Sequence, residues 1–451
     1  MRGNGDSWRK YRWHWKCAEK TVLTEKLIHY FRQIPDYRCG REKRHDLGEM
    51  LVCVTLGFLC GRTTIRRSLK WCKTHLEELR KHMNLKYGIA SPSTITRMLN
   101  GIDEELALYA FMEWIGEIVE SRNTHLAIDG KALCGATEKT KGETTPMLLN
   151  VVETVRGLIL AQLPVDSKTN EITAIPELLK LLDISGSIVT IDAVGTQTAI
   201  MEQIHEQGGH FVLTVKKNQP EAYEEIHTFM DKLGAEDLKR KKGEAMDPGM
   251  KEFLEKYEEI SQMEKNRDRN EYRTCQICKD ASNLTKSQKE WPHVQSIGRI
   301  KQVRIPKEKD SQGNDVTPSK EEFLEKGSRR IPAPSAGEGA GKDVQCTALI
   351  SDLILTAEEL GSIKRMHWSI ENRLHHVLDD TFREDRSPAK KSRNNLSLIR
   401  KYAYNILRLA MYETGLANIM TEMMDCFCDN AALRERYVFQ GIASLYCCLL
   451  Y

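Results

Sequence analysis

The sequence lacks the long apolar run that a membrane-spanning helix needs. None of its 451 residues lies in an apolar stretch that approaches the roughly 20 residues needed to cross a bilayer. The best candidate, MLVCVTLGFLC at residues 50–60, is about half that length and predicts a buried helix instead. The segment MRGNGDSWRKYRWHWK at the start contains no apolar core, so it predicts no secretory signal. We therefore expect a cytoplasmic protein.

The sequence also lacks the regular cysteine spacing of a disulfide framework. Its 13 cysteines are an odd number and are scattered along the chain, which in a chain this long indicates reduced thiols. Cys275 and Cys278 have the spacing of half a zinc site, but no second pair follows at the usual distance. Free thiols are thus favoured over zinc.

Excess charge of one sign is small overall but unevenly placed. The 67 Lys and Arg exceed the 64 Asp and Glu by only three charges, which identifies no partner. Residues 1–20 nevertheless carry six basic residues against two acids, interleaved with aromatic residues, and residues 361–410 carry eleven against five. Both stretches could follow a phosphate backbone. An ordinary solvated surface stays the alternative.

Two kinds of secondary-structure pattern divide the middle of the chain. Residues 21–120 have helical spacing throughout, and Ser91-Pro92-Ser93 supplies a helix start. Short helices joined by such a turn suit a helix-turn-helix unit or any small helical bundle. From Thr124 the order becomes three strands, helix, strand, helix, strand, with a hairpin turn at Arg156-Gly157. This order predicts an α/β fold with a mixed sheet flanked by helices, as in RNase H-like proteins.

Two aspartates stand where predicted strands end. Asp129 closes HLAID and Asp192 closes SIVTID, and the predicted topology makes these strands parallel neighbours. A turn-forming role is common for either residue alone. Two adjacent carboxylates repel each other unless a cation lies between them, and hard oxygen ligands favour Mg²⁺ or Mn²⁺. The pair thus predicts a divalent-ion site.

A third carboxylate, Glu371, lies in a predicted helix, IKRMHWSIENRLHHVLDDTF. His367, Glu371 and His375 are spaced four residues apart, which on an α-helix puts them on one face. From composition alone, a surface helix with ion pairs is the favoured interpretation.

Three long segments resemble the DDE transposases of bacterial insertion sequences, specifically the ISAs-type group that includes the H-repeat-associated proteins. They are AIDGKALCGA, VDSKTNEITAIPELLKLLDISGSIVTIDAVGTQTAIMEQIHEQGGHFVLTVKKNQP and HWSIENRLHHVLDDTFREDRS. The resemblance implies an RNase H-like fold and a metal-dependent nuclease and strand transferase. It puts the family's three acidic positions on Asp129, Asp192 and Glu371. These would hold two Mg²⁺ or Mn²⁺ ions that activate water and neutralise the leaving 3′ oxygen.

The resemblance also implies partners. We expect binding to element ends with terminal inverted repeats and to target DNA, by a homodimer assembled on DNA near the bacterial nucleoid. The residues predicted to contact DNA are Lys131, Lys216, Lys217, Asn218, Gln219, Arg365, His367, Asn372 and His375. The alternative is that they are ordinary surface residues.

The sequence patterns and the resemblance together divide the chain into six predicted segments. The segment 306–343, with four of the 13 prolines, is predicted to be a flexible surface insertion. The segments are a basic and aromatic tail (1–20), an all-helical N-terminal domain that could bind DNA (21–120), the first part of the catalytic domain (121–235), a β-rich insertion before the last catalytic helix (236–350), the helices with the last acidic residue (351–415) and a C-terminal tail (416–451).

Two hypotheses of different class remain. The first is a transposase that cleaves DNA and transfers strands. The second is a catalytically inactive, transposase-derived DNA-binding protein. A Mg²⁺-dependent nuclease without strand transfer is a third and weaker one.

Overall fold

The structure, a computed structural model, describes residues 25–39, 43–133, 145–165, 171–265, 269–284, 291–306 and 344–442 and the backbone of four two-residue strands. Contacts divide the chain into a first unit, Met1–Ser187 with Trp368–Tyr451, and a second unit, Ile188–His367. The predicted tail 1–20 and the predicted flexible insertion 306–343 fall almost wholly outside the described residues. Among the residues that the structure describes, no helix combines the length and apolarity needed to cross a membrane.

The N-terminal part of the first unit is helical, as predicted. Its helices are α1 (Leu27–Gln33), α2 (Leu47–Leu59), α3 (Ile65–Thr74), α4 (Leu76–Leu79), α5 (Pro92–Gly101) and α6 (Glu104–Ile118). Side chains cap four of them: Asp46 accepts from the backbone N–H of Glu49, Thr64 from that of Arg67, Ser91 from that of Thr94, and Asp103 from those of the first turn of α6. Such caps satisfy N–H groups that have no partner within the helix.

Helix α2 is the central buried helix that the apolar run at residues 50–60 predicts. Every residue from Leu47 to Leu59 is buried. The one acid among them, Glu49, accepts hydrogen bonds from the backbone N–H groups of Asn84 and Leu85. Gly57 lets α3 approach closely, because a Cβ there would lie 2.1 Å from the Cβ of Ser68.

Three antiparallel strands follow in the first unit. They are β1 (His125–Ala132), β2 (Met147–Glu153) and β3 (Leu158–Val165), in the spatial order β3-β2-β1, with helix α7 (Glu171–Lys180) after them. The predicted hairpin turn is present, with Gly157 at a φ of +74°, a conformation that glycine adopts without steric cost. In register, Asp129 pairs with Asn150, which pairs with Gln162.

Besides two of the two-residue strands, the described part of the second unit holds six strands of one sheet and its own helices. In chain order these are β4 (Ile188–Ile191), α8 (Thr198–Glu206), β5 (His210–Val215), α9 (Pro220–Lys242), α10 (Lys251–Glu255), β6 (Tyr257–Lys265), β7 (Arg269–Cys278), β8 (Ser296–Pro306), β9 (Val344–Ser351) and α11 (Ala357–Ile370). The strand order is β4-β5-β9-β8-β7-β6. Only β4 and β5 pair in parallel. Both units therefore mix helices with strands, and the α/β class is confirmed.

Strands β6, β7 and β8 lie within 236–350, the segment where the sequence predicts a β-rich insertion, and no sequence pattern singles out β6 or β9. Within the second unit β9 pairs with β5 on one side and β8 on the other, so it links the predicted insertion strands to the parallel pair. Cys275 and Cys278 are buried in β7, and burial raises the pKa of each thiol to about 11. Neither forms a disulfide with another described residue.

The first unit is completed by C-terminal helices α12 (Arg393–Thr414), α13 (Met420–Asp429) and α14 (Ala431–Arg434). Helix α12 packs against α2 and α6 and against β3. It is fastened there by amide side chains: Asn405 exchanges two hydrogen bonds with the backbone of Ile159, and Asn395 donates to the carbonyls of Leu99 and Ile102.

Candidate active site

Asp129 lies on β1 with a third of its side chain exposed, 33%. One carboxylate oxygen, Oδ1, accepts a hydrogen bond from the N–H of Gly130, and the other lies 3.7 Å from Nδ1 of His375. Burial lowers the pKa of His375 to about 4, with the charges of Lys131 and Lys401 adding to the effect. His375 is thus neutral at physiological pH and adds no positive charge beside Asp129.

Behind Asp129 a buried polar row crosses the sheet of the first unit. Lys401 of α12 is fully buried and donates hydrogen bonds to the side-chain oxygens of Asn150, which pairs with Asp129, and of Gln162, which pairs with Asn150. Burial lowers the pKa of Lys401 to about 7. The hydrogen bonds that Lys401 of α12 donates fix the strands beside Asp129.

Lys131, two residues after Asp129, is buried rather than exposed, with 4% of its side chain accessible. Its ammonium lies 2.6 Å from Asp379, 3.2 Å from Glu384 and 3.5 Å from Asp385. Burial lowers the pKa of Lys131, but the three carboxylates outweigh it and leave the pKa above its ordinary value. The expectation of an exposed lysine at a strand end is therefore wrong. Its position favours a role in fastening the segment after Glu371 to β1.

Glu371 stands at a change of helix type. Helix α11 ends at Ile370, and Glu371–His375 and Val377–Thr381 form π-helical turns, which carry an extra residue per turn and often occur at functional sites. Glu371 and Asn372 are exposed, His375 is partly buried and His367 is buried. The single face predicted for His367, Glu371 and His375 stays a prediction, and the three side chains differ in how exposed they are.

Asp192 follows β4 in the second unit, where the 3₁₀ turn Ala193–Gly195 begins. The ammonium of Lys216 lies 2.7 Å from its Oδ2, and 44% of the Asp192 side chain is exposed. Burial raises the pKa of Asp192, but the hydrogen bond and charge of Lys216, with the charge of Lys364, outweigh it and hold the pKa below its usual range. Asp192 is therefore a carboxylate at neutral pH.

The segment after β5 supports the Asp192 turn. The side-chain amide of Asn218 donates to the carbonyl of Ala193, at 3.1 Å, and that of Gln219 donates to the carbonyl of Thr196. Lys216 and Lys217 are exposed. Among these four predicted DNA contacts, the two amides hold the loop that carries Asp192, Lys216 pairs with Asp192, and Lys217 is exposed.

Helix α11 contributes two further predicted residues and one that sequence reasoning missed. His367 packs its Nδ1 3.0 Å from the hydroxyl of Thr190, and Arg365 forms an ion pair with Glu264. The missed residue is Lys364, which is buried and donates to the hydroxyl of Thr214 at 2.8 Å. Its helical spacing gave no signal, since a buried lysine has the same sequence pattern as an exposed one.

The three acidic residues are divided between the units. Asp129 and Glu371 belong to the first unit and Asp192 to the second, so their convergence stays a prediction. Within the described residues, no group of three His, Cys, Asp or Glu side chains is arranged to hold a metal ion. The donor chemistry nevertheless fits hard divalent cations: all three carboxylates are accessible, and Asp192 is already bound by a cationic group, Lys216.

Two family models match the chain. The description of one is "Transposase DDE domain", and it matches residues 120–406; the other, "DDE_Tnp_1-associated", matches residues 28–115. The chain belongs to the DDE transposase family. The resemblance predicted from the sequence is thereby confirmed, and the protein is placed among the transposases of mobile elements, a family that generally uses divalent metal ions.

Curated relatives agree with this assignment. The "H repeat-associated putative transposase YhhI" of Escherichia coli K12 is 28% identical over 85% of this chain and 90% of its own length. A shorter relative from the same strain, "H repeat-associated putative transposase YbfD", is 32% identical over 43% of this chain and 78% of its own length. Among solved structures, a piggyBac transposase synaptic complex with hairpin DNA covers 92% of this chain and 80% of its own, at 11% identity and a TM-score of 0.38. That score carries no conclusion.

Proposed function

We propose that this transposase cleaves DNA at the ends of its element and joins the freed ends to target DNA, using Asp129, Asp192 and Glu371 as ligands of divalent ions. The observation that supports it best is that Asp129 and Asp192 are both accessible and that the pKa of Asp192 is low. Each stands at a strand, each is between a third and a half exposed, and the pKa of Asp192 is held low. Ionised, accessible carboxylates are what hard cations bind.

Bound divalent ions would supply the Lewis acidity for in-line attack on a phosphodiester. The chain's own residues supply the rest. Asn218 and Gln219 fix the turn of Asp192, and Lys131 fastens the segment that follows Glu371. Lys216 and Lys217 are exposed beside that turn and would approach phosphate oxygens, whereas the burial of Lys131 and His367 favours supporting roles for them.

A plasmid-nicking assay tests the enzymatic part. We expect the purified chain to convert supercoiled plasmid to open circles with Mg²⁺ or Mn²⁺ and not with EDTA. Asp192→Asn should retain DNA binding and lose nicking by about 100-fold or more, because removing the charge from a metal ligand removes transition-state stabilisation of several kcal/mol. Glu206→Gln, an exposed acid on α8, is the matched control and should nick like the wild type.

Two outcomes separate the alternatives. Equal nicking by wild type and Asp192→Asn would refute the site, and DNA binding without nicking by any form would favour the inactive DNA-binding protein. Incubation of cut ends with a second DNA then distinguishes a transposase, which yields joined products, from a nuclease, which yields none. A homodimer should form on the DNA, as a discrete complex with two chains in mass photometry.

A further inference from the structure

Helix α3 presents a basic surface to solvent. Arg66, Arg67, Lys70 and Lys73 are all exposed on it, and none of them forms an ion pair within the described residues. Its opposite face is buried, with Ser68 and Trp71 packed inward and Ser68 against Gly57 of α2. The fold therefore fixes which way the four cations point.

The neighbouring helix α5 extends this surface. It packs against α3 and adds exposed Arg97. Neither helix contains an Asp or a Glu. The acids nearest to α3 along the chain, Glu77 and Glu78 of α4, are already bound by Arg80 and Arg434. We name the five residues Arg66, Arg67, Lys70, Lys73 and Arg97 the α3 basic face.

Helix α6 of the same unit has the reverse distribution. It carries four glutamates, all exposed, and no Lys or Arg: Glu104, Glu105, Glu113 and Glu117. An ordinary solvated helix mixes charges of both signs, because pairs at i, i+4 then support it. Cations segregated on one pair of helices and acids on another instead create a positive surface field, which attracts a polyanion.

We propose that the α3 basic face is a docking surface for the phosphate backbone of double-stranded DNA. From Arg66 to Lys73 the helix rises about 10 Å, which matches about three phosphates of one strand. Three of the five cations are arginines, whose planar forks suit phosphate oxygens. The inference rests on the proposed function for the identity of the polyanion as DNA.

The test is a salt titration of DNA binding by the full chain. Every form carries Asp192→Asn so that the DNA stays intact, and fluorescence anisotropy follows a labelled random-sequence duplex of about 30 base pairs, long enough for many phosphate contacts. The test variant is Arg66→Gln/Arg67→Gln/Lys70→Gln/Lys73→Gln. The control, Lys26→Gln/Lys180→Gln/Lys242→Gln/Lys251→Gln, removes the same charge from exposed positions elsewhere.

The expected result is a change in salt dependence. Losing four phosphate contacts should reduce the slope of log Kd against log salt by about 3 to 4. Between 50 and 200 mM salt the parent should therefore lose roughly 100-fold more affinity than the test variant. The control should keep the parent slope, and far-ultraviolet circular dichroism should give all three forms the same melting curve.

Other outcomes overturn the inference. A test variant with the slope of the control refutes it, and so does a variant with changed self-association but unchanged DNA binding, which would assign the surface to the acidic α6 of a second copy. Nicking by the chain without Asp192→Asn is scored separately. Absent nicking with the expected slope change refutes the proposed function alone, while normal nicking with an unchanged slope refutes this inference alone.

Discussion

Replacing the buried Lys131 by methionine should loosen the first unit where Asp129 lies. The change removes the ammonium from three carboxylates while keeping most of the side chain's volume. Glu384 dominates the cost, because its side chain is only 2% exposed, whereas Asp379 and Asp385 are each about a third exposed and can turn to water. Removing one partner of a buried ion pair typically costs about 3–5 kcal/mol.

The structure selects the lower end of that range. After the substitution Glu384 still has Arg400, whose guanidinium lies 3.8 Å from it, so its charge is not left alone. We expect a loss of about 3 kcal/mol, which corresponds to roughly 100-fold faster hydrogen exchange of the β1 amides when exchange follows the opening equilibrium. Hydrogen exchange monitored by mass spectrometry measures the opening of β1 itself, and it does not require the whole chain to unfold in a two-state transition.

The control for Lys131→Met is Lys180→Met, which breaks an exposed ion pair with Glu177 and should cost under about 1 kcal/mol.

The effect of Lys131→Met should also shrink in acid. Burial raises the pKa of Glu384, but Lys131 and Arg400 outweigh it and leave the pKa low. That stabilisation is present above the ordinary pKa of a glutamate and is lost as pH falls through the lowered value. Equal β1 exchange in the Lys131 and Lys180 variants at pH 7 would refute the reasoning.

Two further predictions concern other parts of the fold. Gly57→Ala should lower the melting temperature, since the new Cβ would lie 2.5 Å from the Cα of Ser68 and overpacking costs about 1–3 kcal/mol. Its control is Gly116→Ala, which should raise the melting temperature because a Cβ there would have nothing within 4 Å. The opposite order of melting temperatures would contradict the packing. The hydrogen bond to Asp352 raises the pKa of His210 against the effect of burial, so this pair stabilises the chain below about pH 6.5 and the stabilisation is lost as pH rises through the raised value. His210→Gln should therefore lower the denaturation midpoint at pH 5.5 and leave it nearly unchanged at pH 8.5, and equal losses at both would exclude the pair as the cause.

Much of the fold could be predicted because its signals are local. The apolar run at residues 50–60 gives α2, and Ser91 caps α5. Strand β6 was missed because its sequence, YEEISQMEK, is mostly charged and polar. It is a strand because its backbone pairs with β7 along its whole length, which no local pattern reveals.

The candidate site was less predictable because its support comes from distant residues. Lys131 is buried by carboxylates that lie about 250 positions further along the chain, and Lys401 by amides of β2 and β3. The acidic run LDDTFRED after Glu371 was the available signal that something cationic would be enclosed there. The π-helical turns that begin at Glu371 arise from backbone hydrogen bonding, and helical periodicity cannot anticipate them.

The central claim is that Asp129, Asp192 and Glu371 bind the same divalent ions. It is tested most directly by replacing Mg²⁺ with Fe²⁺ and adding ascorbate and peroxide, since hydroxyl radicals formed at the bound iron cut the polypeptide nearby. The account predicts fragments from cuts beside all three residues, suppressed together by excess Mg²⁺ and together lost in Asp192→Asn. Cuts beside only one or two of them, or cuts that persist in Asp192→Asn, would contradict it.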